Sequence, residues 1–213
     1  MSTLSAPSRS RLEVFERLFA SATHDASAVM SRWTGGLISL TFDEVREIAV
    51  AEAFTELDLN EQPLTMVVLG LEGELGVRMV LVFDNEDARQ LAASLLGRTP
   101  ADGPEWTELE KSALAETGNI LGCAYMNALV RLIGAELVPS PPYFVQDYAA
   151  SVVQEALLVP AMTSDTVLIC QTVFRRKEQE LDWRVLFIPT EAMRQAIEGA
   201  VAPDHSPASH EVQ

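Results

Sequence analysis

The chain has 213 residues, 48% of them hydrophobic, and 15 Lys and Arg against 31 Asp and Glu give it a formal net charge of −16. Such a composition suits one large or two small domains with a sizeable core, and it argues against nucleic acid, whose phosphates call for clustered basic residues; the nearest cluster, FRRKEQE, is offset at once by glutamates. No apolar run approaches the roughly 18 residues of a membrane span, and two cysteines without a short-spaced pair, Cys123 and Cys170, read as buried thiols of a cytoplasmic protein.

In chain order, residues 1–10 (MSTLSAPSRS) are polar and are expected to be disordered. A long helix then opens at Ser10, with Glu13 three residues on as a capping box. Its apolar residues Phe15, Phe19, Ala22, Ala26, Val29 and Trp33 follow helical spacing, and Gly35-Gly36 ends it. A short apolar run (LISLTF) and a mixed helical segment lead to a hairpin, LTMVVLGLEG and ELGVRMVLVFD, and a closing helix, NEDARQLAASLL. After the loop GRTPADGPEW the series begins again. A helix opens at Thr107 with Glu110 as its capping box and stops near Gly134. AELVP, a second mixed segment, the hairpin DTVLICQTVF and LDWRVLFIP, and the helix TEAMRQAIEGAV follow. Residues 202–213 are again expected to be disordered.

The order helix, strand, helix, hairpin, helix thus occurs twice, in repeats at about 11–98 and 106–201 of a single domain spanning 11–201. Two short strand pairs standing alone would leave exposed edges. The expected fold is therefore α+β, with two pseudo-symmetric halves sharing one antiparallel sheet and long helices packed on it.

The stretch from Ser112 to Pro142, SALAETGNILGCAYMNALVRLIGAELVPSPP, sets Gly118 and Asn119 in mid-helix, where both are poor helix formers. At about 100° per residue, Ser112, Glu116, Asn119, Cys123 and Asn127 share one narrow sector, and Leu114, Leu121, Tyr125, Ala128 and Leu132 lie opposite. Gly118 and Gly122, beside the apolar stripe, would let another element approach closely. Glu116 and Asn119, three apart, are neighbours able to hold a cation and orient a water. A polar stripe is also what any half-buried helix shows, and spacing alone leaves both readings open.

The pattern Ser112-x3-Glu116-x2-Asn119-x22-Pro142, within WTELEKSALAETGNILG and followed by FRRKEQELDWRVLFIPTEAM, resembles the signature of the CheC/CheX/FliY family, phosphatases of the bacterial chemotaxis response regulator CheY. The resemblance is strong from about Trp106 to Val201 and weaker before it, and two tandem halves look most like the CheC class. It implies a phosphorylated CheY-type receiver as substrate, with Asn119 orienting the attacking water and Glu116 holding the receiver's lysine. Ser112 and Pro142 support them. This chain itself would bind no metal or other cofactor, and Mg²⁺ would sit on the receiver. The alternative it implies is a non-catalytic adaptor that binds CheD or the phosphorylated receiver. Placing Gly35 on Gly134 sets Glu13 opposite Ser112, Arg17 opposite Glu116, Ala20 opposite Asn119 and Asp43 opposite Pro142, so the first half-site is expected to be dead.

Other groups carry less. His24 and Asp25 are adjacent on a helix and diverge by about 100°. His205 and His210 lack metal-ligand spacing. Cys123 reads as a small packing residue, and Tyr125 and Met126 as core.

Overall fold

A computed structural model describes residues 9–52, 55, 63–72, 75–100, 103, 105–148, 151, 166–176 and 179–201. The segments expected to be disordered fall outside these residues except for Arg9 and Ser10, which are helical. Helix α1 runs Arg9–Trp33, α2 Asn85–Leu95, α3 Glu108–Ile133 and α4 Glu191–Val201. The strands are β1 (Ile38–Ala49), β2 (Pro63–Glu72), β3 (Val77–Phe83), β4 (Val138–Pro139), β5 (Tyr143–Tyr148), β6 (Thr166–Arg176) and β7 (Gln179–Pro189).

These seven strands form one sheet in the order β1-β6-β7-β3-β2, with β4 and β5 both on the outer edge of β2, and every pairing is antiparallel. The α+β architecture with two related halves on a shared sheet is as the sequence led us to expect. The manner of sharing is not visible in the sequence. Strand β1, from the first half, pairs with β6 of the second, and β5, from the second half, pairs with β2 of the first. The two hairpins meet at the centre through β3 and β7. Each half thus closes the other's hairpin edge, which removes the edges that an isolated pair would expose.

Period-two alternation places the apolar residues of the central strands on both faces. Val67, Leu69, Met79, Leu81, Cys170 and Phe187 join the core beneath the helices. Met66, Val68, Val80, Ile169, Leu186 and Ile188 form a second buried cluster. Phe15, Phe19, Ala22, Ala26 and Met30 of α1 and Leu114, Leu121, Tyr125 and Leu129 of α3 complete the first. Phe19 makes edge contacts with Tyr125 at 5.4 Å and with Phe187 at 5.0 Å. The Tyr125 hydroxyl shares hydrogen bonds with Thr23 Oγ1 (3.2 Å) and Cys170 Sγ (3.7 Å), so burial here is matched by pairing. The same burial pushes the Cys170 thiol up to about 12. A buried ion pair, Arg194 Nη1 to Glu47 Oε1 at 2.8 Å, ties α4 of one half to β1 of the other.

Several expectations are corrected. Ser10 lies inside α1, whose bounds begin at Arg9, so the helix does not open at Ser10. Val29 and Trp33 are 38% and 44% exposed, since the core stripe turns through Leu18 and Met30 instead. The first strand continues past LISLTF to Ala49: Asp43, Glu44, Arg46 and Glu47 look helical by composition, yet pairing along β6 satisfies their backbone and buries Val45. Tyr143–Tyr148, expected in a mixed helical segment, is strand β5, paired along β2. Of the two mixed segments, Thr55 and Ser151 are helical, and most of the rest lies outside the described residues.

Candidate active site on helix α3

The helix that carries the signature is fixed at both ends. Thr107 caps it: its Oγ1 accepts from Glu110 N at 3.3 Å, and Glu110 Oε2 accepts from Thr107 N at 2.9 Å, the expected capping box. Glu110 is fully buried and meets Arg98 Nη2 at 2.9 Å. Burial pushes the Glu110 carboxyl up, but hydrogen bonds from Thr107 and the Arg98 guanidinium outweigh it and hold the group below its ordinary range. The Trp106 ring, one residue earlier, lies beneath the Arg89 guanidinium (4.4 Å) and makes a tilted contact with Phe144 of β5 (5.3 Å). At the other end Gly134 takes the left-handed conformation (φ 70°) and donates to Val130 O, where a side chain would be strained.

Between these ends the helix presents the polar stripe outward. Ser112, Glu116 and Asn127 are exposed, Asn119 and Cys123 are half-buried, and the opposite face, from Leu114 to Leu129, is buried. Gly118 and Gly122 explain how closely this helix lies on the sheet. A Cβ at Gly118 would stand 2.5 Å from Val67 Cγ1 and 3.7 Å from the Cβ of Pro142, and one at Gly122 would clash with Leu69 Cδ1. At both places a larger residue would force the Val67 or Leu69 side chain to move, so glycine permits the close approach of two turns of helix to alternate residues of β2. Pro142 lies over the turn that bears Glu116 and Asn119.

Pro142 also sits where pairing slips. From Pro139 to Tyr143 the edge advances four residues against three on β2, from Leu71 to Val68. On the other edge, Phe42 to Glu44 is opposed by the adjacent pair Thr172 and Gln171, leaving Asp43 as the extra residue. The bulge thus recurs at Asp43 and around Pro142, the two positions that the sequence alignment equates.

The side chains at the first half-site share none of the chemistry. Glu13, Arg17 and Asp43 are exposed and Ala20 is half-buried. Arg17 donates to the backbone carbonyl of Glu13 (3.3 Å) and lines a cleft of about 440 Å³ with Val14, Leu18, Ala128 and Arg131. Asp25 pairs with Arg131 at 2.8 Å and not with the exposed His24. His205 and His210 lie outside the described residues. Among the described residues no group of three or more His, Cys, Asp or Glu could hold a metal.

Around the stripe, no Lys or Arg among the described residues pairs with Glu116, which leaves its carboxylate open to an incoming cation. Asn119 Oδ1 accepts a hydrogen bond from Cys123 Sγ at 3.8 Å. Burial and the nearby Glu116 charge both push the Cys123 thiol up, so it stays protonated near neutrality. Sequence reasoning missed this contact, although the i, i+4 spacing was the signal for it. It missed too the packing of Pro142 against Gly118, which no local pattern encodes.

No family model matches the chain. Over 172 residues it is 29% identical to the CheY-P phosphatase CheC of Bacillus subtilis, covering 79% of this chain and 82% of that one. Its fold matches FliY of Thermotoga maritima with a TM-score of 0.73 at 16% identity, over 92% of this chain and 98% of that one. It also matches a chain of the CheX–CheY–BeF3–Mg²⁺ complex from Borrelia burgdorferi, with a TM-score of 0.53 at 18% identity over 82% and 97%. The resemblance to the CheC/CheX/FliY family read from Ser112, Glu116, Asn119 and Pro142 is met again in both sequence and fold.

Proposed function

We propose that this chain, similar to CheC in sequence and to FliY and CheX in fold, hydrolyses the aspartyl phosphate of a CheY-type receiver from the Glu116 and Asn119 face of α3. One observation carries the reading: a carboxylate with no cationic partner among the described residues stands beside a carboxamide, on the outward side of a helix pinned from below by Val67, Leu69 and Pro142. An outward-facing pair on a helix packed closely on the sheet suits a substrate that is itself a folded protein, whose acyl phosphate lies in its own cleft.

Phosphoryl transfer asks mainly for positioning and charge stabilisation. Asn119 reaches into the receiver's site and accepts a hydrogen bond from a water, whose free lone pair then faces phosphorus. As the water oxygen bonds to phosphorus, the bond to the aspartyl oxygen breaks. The receiver's carboxylate is regenerated, and inorganic phosphate leaves carrying both of the water's protons. Glu116 holds the receiver's lysine through a charge-assisted bond, fixing the docking register. The metal of the reaction is the receiver's Mg²⁺. Neither Glu116 nor Asn119 bonds to phosphorus, so no phosphorylated form of this chain accumulates. Ser112, exposed one turn before Glu116, lies on the approach to the receiver. The reaction belongs in the cytoplasm, and among the described residues no helix is long and apolar enough to cross a membrane.

Phosphate release from a phosphorylated cognate receiver tests this directly. Wild-type protein should accelerate release, and Glu116→Ala and Asn119→Ala should each lower the gain by about a hundredfold or more, the order expected when positioning is lost. Binding of the phosphorylated receiver without acceleration would replace the phosphatase with the adaptor reading, for which CheD is the second partner to assay.

A further inference from the structure

We propose that Cys123 is a positioning residue for Asn119: its thiol donates to Oδ1 and so selects which end of the carboxamide faces the attacking water. The proposal rests on the reading that Asn119 orients that water.

A carboxamide presents an acceptor at one end and two donors at the other, and its two orientations are nearly equal in shape. They are opposite in chemistry. A water that donates to Oδ1 gains electron density and keeps both lone pairs for phosphorus, whereas a water that accepts from Nδ2 commits one of its two and becomes the poorer nucleophile. Something must therefore favour the productive orientation before the receiver arrives. Among the described residues the side chain of Asn119 has one hydrogen bond, from Cys123 Sγ at 3.8 Å. It comes from one helical turn further on, on the same outward stripe. One lone pair of Oδ1 is taken by the thiol, and no other hydrogen bond among the described residues uses the second. Turned over, the amide would instead donate from Nδ2 to the sulfur, which is only a weak acceptor, so the thiol biases the amide toward Oδ1 without locking it.

The neighbourhood keeps this donor in its donating form. Cys123 is half-buried, and Glu116, on the same stripe, disfavours a negative charge there. The group that would hold the receiver's lysine therefore also helps to keep the thiol protonated. A thiol is a weak donor, so its task is to bias an orientation and not to bear load.

The test uses full-length protein and a phosphorylated receiver. Cys123→Ala should lower kcat by about three- to tenfold with KM unchanged, because only an arrangement used in the transition state is lost. In the Asn119→Ala background, Cys123→Ala should cause no further loss. Cys123→Ser should recover part of the rate; the hydroxyl donates more strongly but can turn to the backbone carbonyl of Asn119. A second readout needs no catalysis: the side-chain NH₂ resonances of Asn119, assigned by their absence in Asn119→Ala, should shift toward those of exposed asparagines in Cys123→Ala. Full activity in Cys123→Ala, or additive losses in the double variant, would overturn the proposal, and so would an unmoved NH₂ pair. A wild type that releases no phosphate would instead defeat the phosphatase reading, while the resonances still decide whether the thiol orients the amide.

Discussion

Helices α1 and α3 are the same element used twice, yet the structure seats them differently. With Gly35 placed on Gly134, Phe19 stands where α3 has Gly118, and Ala26 where α3 has Tyr125. In α1 the large residue fills the middle of the core, against Phe187 and Tyr125. In α3 the glycines leave nothing between the helix axis and Val67 and Leu69 of β2. The two helices are complementary pieces of one close-packed interior; both pack on the sheet, and the one whose glycines bring it against Val67 and Leu69 carries a carboxylate and a carboxamide on its outer face. Its opposite number offers Arg17, which would repel a lysine, and Ala20, which cannot orient water. The backbone device at the edge, one extra residue near Asp43 and near Pro142, is retained in both halves. The scaffold and the bulge recur in both halves, while the paired carboxylate and carboxamide stand in one.

The sharpest attempt to break that contrast is to move the site. In an Asn119→Ala background, Arg17→Glu with Ala20→Asn restores the two side chains to the first half without the glycine and proline beneath them. Release should stay near the receiver's own rate, about a hundredfold below wild type, because the geometry as well as the side chains must match. Recovery to within a few-fold of wild type would show that how a helix is seated is immaterial. Substituting Arg17 by Ala in the otherwise native chain should change release less than about twofold.

A second test works on the packing itself. Gly118→Ala adds a methyl that Val67 must yield to, at an expected loss of about 1–3 kcal/mol in stability by chemical denaturation. It should also lower phosphate release, since α3 must lift and carry Asn119 with it. Adding Val67→Ala makes room for the new methyl, and activity should return in large part even though the double variant loses a buried side chain. If the second change fails to help, the glycine serves something other than close approach.

That pair of residues also marks where the sequence stops being legible. The start of α3 could be read locally, because Thr107 and Glu110 form a capping box within one turn, and so could its end at Gly134. The hairpins were legible through alternation, and the doubling through repeated order. Nothing local shows that β1 pairs with a strand more than a hundred residues away, or that Val67 and Pro142 both lie against Gly118. Polar composition concealed the second part of β1 and all of β5, since edge strands take charged residues that also suit helices. Ser10 and Glu13 have the spacing of Thr107 and Glu110, yet the helix does not open there, because α1 already includes Arg9. The Glu116 and Asn119 pair was legible as a pattern, while the thiol that touches Asn119 looked like packing.

The two capping sequences provide the smallest and most local test. Glu110 is buried, takes a hydrogen bond from the backbone of Thr107 and meets Arg98, and its carboxyl is held below the ordinary value of 4.5. A carboxyl whose pKa is lower folded than unfolded binds its proton more tightly in the unfolded chain. Its contribution is therefore complete above the unfolded value and fades as pH falls through the folded one. Glu110→Gln should destabilise the protein by about 1–2 kcal/mol at pH 7, the range of a lost cap with a partly exposed ionic partner. The gap to wild type should narrow as pH drops below about 4.5, where the native carboxyl also loses its charge. Glu13, at the matching place in α1, is exposed, and Glu13→Gln should leave stability at pH 7 unchanged within about 0.5 kcal/mol. Equal effects at the two positions would mean that α1 is capped after all, and that the difference between the two helices begins only further along, at Phe19 and Gly118.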